Sequence, residues 1–252
     1  ARDHFGIKPL YYQQHNDVFL FSSEIKAIIQ HPAFNQNIDT TALANYLSFL
    51  YSPGEKTPFI NVKKLLPGHF IIFENGNSII TKYYELPFTG KYALHSEEEW
   101  IDLLEEKLTN AVKRQLLSDV PVGFFLSGGL DSSLIVAIAK KILPDNRLKC
   151  FTIETATDSE REGFVEDLPY AKKVAKHLDV DLEIIQADID ILRDFDKMIY
   201  HLDEPQADAA PLNVMNICNN SFYFFIFLYS SNDRVFKALP GVILVILKPL
   251  ES

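Results

Sequence analysis

The apolar positions follow three different rhythms along the chain, and each rhythm predicts a different kind of structure. From residue 1 to about 86 they come in short bursts, Leu10–Tyr12, Val18–Phe21, His69–Glu74 and Ile79–Tyr84, divided by turn residues such as "ENGNS", which predicts β-strands. Two stretches depart from that rhythm. "SSEIKAIIQH" sets Ile25, Ile28 and Ile29 at helical spacing after a hydroxyl start, and "DTTALANYLSFL" opens on Asp39 as an N-cap, so both predict short amphipathic helices. "LPFTGKYALH" contains proline and glycine and shows no period, which places a domain boundary near residues 87 to 95.

Beyond the boundary, helical and strand-like segments alternate, the pattern of a parallel sheet covered by helices. Ser96 and Glu99 have the spacing of a capping box. Trp100, Leu103, Leu104, Leu108, Ala111 and Val112 then recur at helical spacing to about Ser118. A strand over Val120–Leu126, a glycine turn and a helix from Leu130 to Ile142 follow. After these come a strand at Cys150–Ile153, a helix at Leu168–His177, a strand at Leu182–Gln186 and a helix at Ile189–His201 that ends before "LDEP".

From Asn219 the rhythm is lost. "FYFFIFLY" and "GVILVIL" are apolar runs with neither helical nor strand period, and each is shorter than the ~20 residues that span a bilayer. Residues 219–252 therefore read as an aberrant tail, an aggregation-prone segment such as a shifted reading frame would produce. The alternative is a short natural variant in which "GVILVIL" supplies a buried central strand.

Bulk properties narrow the class further. With 252 residues, of which 47% are hydrophobic, the chain can bury two moderate cores. The net charge of −10 is spread along the sequence, which argues against nucleic acid or an anionic membrane as partner. Cys150 and Cys218 show no metal-ligand spacing, and they suit a reducing, cytoplasmic setting. The opening "ARDHFGIKPL" reads like the middle of a strand-turn-strand unit, so further residues are expected before Ala1.

The candidate chemistry lies in "LSGGLDSS", Leu126 to Ser133. Glycines after an apolar strand let backbone N–H groups approach phosphate oxygens, the start of the following helix adds partial positive charge, and serine hydroxyls add donors. A carboxylate such as Asp131 is repelled by phosphate unless a divalent cation lies between them, so its presence points to Mg²⁺. The G-x-x-x-x-G-K-[ST] pattern is absent, and so is a lysine to reach a terminal phosphate, which disfavours γ-phosphoryl transfer. An ordinary βα connection would account for the glycines, but not for an aspartate and two serines in register with them.

This loop resembles the pyrophosphate loop of the ATP-pyrophosphatase (PP-loop) superfamily. Within it, "SDVPVGFFLSGGLDSSLIVAIA" is similar to the glutamine-hydrolysing asparagine synthetases. "RDHFGIKPLYY", "FSSEIKA", "LPGHF", "FTI" and "LDEP" fall where that family has comparable segments, so the resemblance covers roughly residues 1 to 218. It implies an α/β architecture: the C-terminal part of an Ntn-type (αββα) glutaminase domain over 1–90, then a Rossmann-like parallel-sheet ATP-pyrophosphatase domain over 91–218. It implies an ATP-dependent amidotransferase that adenylates a carboxylate such as aspartate and gives it glutamine-derived ammonia. The family's partners are small molecules, and a homodimer is open for its intact members.

Carried over by position, Ser127, Gly128, Gly129, Leu130, Asp131 and Ser132 would hold ATP and the departing pyrophosphate. Leu126 and Ile153 would meet the adenine, and Asp203 would join Asp131 on Mg²⁺. Without the resemblance, the acidic pair before Pro205 is equally a helix-stop signal, and Glu166 and Asp167 are most simply charges at a helix start.

Two departures from the family pattern matter. The N-terminal cysteine nucleophile and the glutamine-binding segment are absent, so the chain is expected not to hydrolyse glutamine. The family's "SG-x-GG-D-E" segment is absent too, so no catalytic residue is assigned and the chain as it stands is expected to be inactive as a synthetase. A nucleotide-binding pseudoenzyme, a β-lactam synthetase-like ring closer and a polysaccharide amidotransferase are the competing readings.

Overall fold

The computed structural model describes residues 1–88, 90, 93–118, 121–155, 167–187, 191–206, 211–215, 217–218 and 244–247. Contacts divide the chain into two units. The first comprises Ala1–Gly90, Phe195–Ala209 and Lys237–Ser252, and the second comprises Lys91–Asp194 and Ala210–Phe236. Val120, Glu166, Phe222–Tyr229 and nearly all of the predicted aberrant tail lie outside the described residues.

In the first unit, β1 (Tyr11–His15) and β2 (Val18–Ser22) form an antiparallel hairpin, and β3 (Lys63–Lys64) pairs with the other edge of β1. Alternation along these strands explains why Tyr11 and Tyr12 are both buried. Tyr11 and Leu20 face α1 (Ile25–Ile29) and pack with Ile25, Ile28 and Val62, whereas Tyr12 and Phe19 face the opposite way toward Leu65, Ile71 and Phe73. Phe73 belongs to the hairpin of β4 (His69–Glu74) and β5 (Asn77–Lys82), and its ring stacks on Phe19 with centroids 4.9 Å apart. Helix, sheet and hairpin thus make an α-β-β succession with a core on each side of the sheet. In α2 (Thr40–Phe49), Asp39 caps as its sequence position predicts, accepting from the N–H groups of Thr41 and Ala42.

The remaining strand, β9 (Leu244–Leu247), lies within "GVILVIL" and pairs antiparallel with β2, making a sheet of order β3-β1-β2-β9. Leu244–Leu247, within the run weighed above as a buried central strand, are therefore an added strand of the first unit's sheet.

The second unit begins with α3 (Glu97–Gln115), whose capping box between Ser96 and Glu99 forms in full. Three parallel strands follow in the order β6-β7-β8: β6 (Gly123–Phe125), β7 (Lys149–Thr155) and β8 (Asp181–Ala187). The connections are α4 (Leu130–Ile142) and a segment ending in α5 (Leu168–Leu178), and α6 (Ile191–Leu202) follows β8. The α/β class with a parallel sheet read from the alternating rhythm is what the chain adopts. Its core joins Val112 of α3, Val136 and Ala139 of α4, Cys150 of β7, and Ala171 and Ala175 of α5.

The predicted apolar face of α3 is used unevenly. Val112 is buried, but Trp100, Ile101 and Leu104 are roughly half exposed, because the first turns meet only the side of α4 and leave an apolar groove with Leu134 and Ile138.

Candidate nucleotide site

β6 ends where Leu126 begins, and the Leu126 N–H extends the ladder by donating to the carbonyl of Phe151 at 2.9 Å. The Leu126 side chain is fully buried in the core, so only its backbone is available to a ligand. In a parallel sheet the turn after β6 lies at the carboxyl ends of the strands, where α/β proteins place their ligands. Ile153, partly buried and paired with Ile185, lies in the later half of β7.

The turn is possible because residue 128 has no side chain. Gly128 has φ of +82°, and a Cβ there would come within 2.4 Å of the Ala171 backbone nitrogen and 2.5 Å of the Tyr170 carbonyl carbon. The first turn of α5 therefore runs directly against the loop. Any other residue would incur both left-handed strain and a backbone clash.

Gly129 is the N-cap of α4 and has no side chain to cap with, so the helix starts with amides that lack intrahelical partners. Hydroxyl groups gather beside it. Ser127 Oγ and Ser132 Oγ lie 3.0 Å apart, Ser127 Oγ accepts from the Gly129 N–H at 3.3 Å, and Ser132 Oγ donates to the Gly129 carbonyl at 3.3 Å. Ser133 Oγ is enclosed and has no hydrogen-bond partner among the described residues. Leu130 and Asp131 are exposed in the first turn of α4. Backbone N–H groups, hydroxyls and one carboxylate thus share a single turn, the donor set that a metal-bridged phosphate group requires.

Asp203 belongs to the first unit, whereas Asp131 belongs to the second. Asp203 Oδ1 accepts from the Lys26 backbone N–H at 3.2 Å and from Lys26 Nζ at 3.3 Å. Among the described residues no group of three or more His, Cys, Asp or Glu side chains converges as a metal cage. Asp131 is an exposed carboxylate beside amides and hydroxyls, a ligand that fits a cation held largely by phosphate oxygens and water. Asp167 stands at the N-cap of α5 without a side-chain cap bond. Burial, with Asp181 nearby, pushes the Cys150 thiol up to about 11, which makes it a poor nucleophile at neutral pH.

Tyr11 and Lys26 lie within "RDHFGIKPLYY" and "FSSEIKA", but nothing in those segments, or around Lys64, names a partner. Their long-range contacts with Asp203 and Glu204 do so.

Comparison with known proteins places both units. The asparagine synthase family model matches residues 103–220, and the glutamine amidotransferase domain model matches residues 1–84. Glutamine-hydrolyzing asparagine synthetase 1 of Bacillus subtilis (strain 168) is 36% identical over 215 residues, covering 84% of this chain and 32% of the relative. Asparagine synthetase 3 of the same organism is 39% identical over 143 residues, 55% of this chain and 22% of the relative. Amidase chyE of Penicillium rubens is 29% identical over 225 residues, 82% of this chain and 32% of the relative. The chain spans about a third or less of the length of these curated relatives. The 215-residue alignment is longer than either matched stretch. On these matches residues 103–220 belong to the asparagine synthase family and residues 1–84 to the glutamine amidotransferase domain family.

Proposed function

We propose that the Ser127–Ser132 loop holds the pyrophosphate portion of Mg·ATP in an ATP-dependent amidotransferase reaction. The observation that carries this reading is the packing of Gly128 against α5, which keeps the turn tight, beside an α4 start that has no side-chain cap and carries the Ser127 and Ser132 hydroxyls. In the reaction, a carboxylate oxygen of an acceptor such as aspartate attacks the α-phosphorus and pyrophosphate leaves. Ammonia derived from glutamine then attacks the acyl carbon, forming the amide and releasing AMP.

The chain's own contribution is to position the phosphates and neutralise their charge as the leaving group separates. Ser127 and Ser132 donate to phosphate oxygens, Gly128 and Gly129 admit them to the backbone, and Asp131 is the carboxylate for Mg²⁺. When bound, Mg²⁺ supplies positive charge to the leaving pyrophosphate. Lys26 engages Oδ1 of Asp203, so a metal role for Asp203 would use its other carboxylate oxygen, and the exposed Asp131 is the more accessible of the two. The similarity to a protein named an amidase favours testing several carboxylate acceptors beside aspartate.

Titration of the folded chain with pyrophosphate should show Mg²⁺-dependent binding that Asp131→Ala or Ser132→Ala weakens by roughly tenfold or more, the worth of one charge-assisted contact. Unchanged affinity in both variants would overturn the loop assignment.

A further inference from the structure

The acidic pair at the end of α6 is held by groups remote in sequence. Asp203 follows the helix with φ of +59°, a left-handed conformation that costs an aspartate on the order of 1 kcal/mol and persists where its carboxylate is engaged. That carboxylate caps α1, whose own N-cap residue Glu24 makes no side-chain cap bond; the Lys26 N–H donates to Asp203 across 177 residues of chain. Lys26 Nζ lies 2.7 Å from Glu24 Oε2 and 3.3 Å from Asp203 Oδ1. Burial alone would lower the pKa of this ammonium, but the hydrogen bond to Glu24 and the charge of Asp203 outweigh it, and the net shift is upward.

Glu204 is held as firmly. Its Oε1 accepts from the Tyr11 hydroxyl at 3.0 Å and its Oε2 from Lys64 Nζ at 2.9 Å. The four charged side chains, Lys26, Lys64, Asp203 and Glu204, are only 8 to 16% exposed. Breaking one partner of such a pair leaves the other buried and unpaired, which surface pairs never face.

We propose that Asp203 and Glu204 form a two-pronged key, locked by Lys26 and by Lys64 with Tyr11, and that these three side chains are positioning residues for the end of α6. The inference does not rest on the proposed ATP-dependent reaction, because the pair and the groups that hold it all lie in the first unit.

Amide hydrogen exchange on the full chain tests the lock directly. Lys64→Met should speed exchange across residues 200–206 roughly tenfold, and Asp203→Asn should do the same at the Lys26 amide, each losing one charge-assisted bond. Lys64→Arg, and the exchanged pair Lys64→Glu with Glu204→Lys, should return to within about threefold of the parent chain. Tyr11→Phe keeps the ring and loses one hydrogen bond, so it covers the case in which Lys64→Met fails to fold; about threefold faster exchange is expected. Parent-like exchange in Lys64→Met or, should that variant not fold, in Tyr11→Phe would overturn the proposal, as would an exchanged pair as loose as its single variants. Failure of the parent chain to bind Mg·pyrophosphate would count against the loop assignment, and the exchange result would still decide the lock.

Discussion

Asp131 and Asp203 carry the same carboxylate and come from the same family resemblance, yet the two units treat them in opposite ways. Asp131 stands exposed in the first turn of α4, and among the described residues its carboxylate forms no hydrogen bond or ion pair. Asp203 is nearly buried and accepts from both the backbone and the ammonium of Lys26. An open carboxylate beside free helix amides can take up a cation and a phosphate at little cost, because nothing has to be broken first. A carboxylate already paired in a low-dielectric setting gives up its partner only for a comparably strong one. Chemical type alone therefore says little about which acid serves a ligand and which serves the fold.

The sharpest way to break this contrast is at the turn that exposes Asp131. Gly128→Ala adds a methyl group where the Ala171 nitrogen would be 2.4 Å away, on top of an unfavourable φ. Urea denaturation should show a loss of about 3 kcal/mol or more, with Mg·pyrophosphate binding lost as well. If the variant keeps parent stability, the close approach of α5 does not shape the loop.

The aspartates themselves should separate by a smaller margin. Asp203→Asn removes the charge from a partly buried pair and should cost about 1 to 2 kcal/mol of stability by thermal or urea unfolding. Asp131→Asn should change stability by no more than about 0.5 kcal/mol. Equal losses would erase the distinction drawn here.

A third aspartate sharpens the comparison through pH. Asp3 is half-buried, and its carboxylate accepts from the N–H groups of Phe5, Ile7 and Lys8; these bonds, Lys8 first and Ile7 next, lower its pKa to about 2. A folded-state pKa below the unfolded value near 4 means that its contribution is complete above about pH 4 and disappears as pH falls from there toward 2. Amide exchange at Ile7 and Lys8 should stay protected from neutral pH down to about pH 4 and lose protection progressively from there toward pH 2. Loss of protection already near pH 6 would show that another group holds the turn.

Much of this was written locally. The alternation of Tyr11 and Tyr12, the Asp39 cap, the Ser96–Glu99 capping box and the strand-glycine-helix order around Ser127 all depend on neighbours within a few residues, and that is why they can be read from the chain. The exposed start of α3 was not legible, since periodicity shows an apolar face but not how much of it finds a partner. The same holds for "GVILVIL", whose apolar run predicts a buried strand without saying which sheet accepts it; pairing is a choice among edges, and β2 took it.

The sequence by itself determined the α/β class, the order of elements and the donor types in the loop, because helix periods, caps and glycine turns are encoded at short range. Tertiary structure alone decided that Gly128 must be glycine, since the obstacle is α5, more than forty residues away in the chain. It alone decided that Lys26, Lys64 and Tyr11 meet the acidic pair after α6. An ion pair leaves no periodic trace, and its partners become visible only when folding brings together residues as distant as Tyr11 and Glu204.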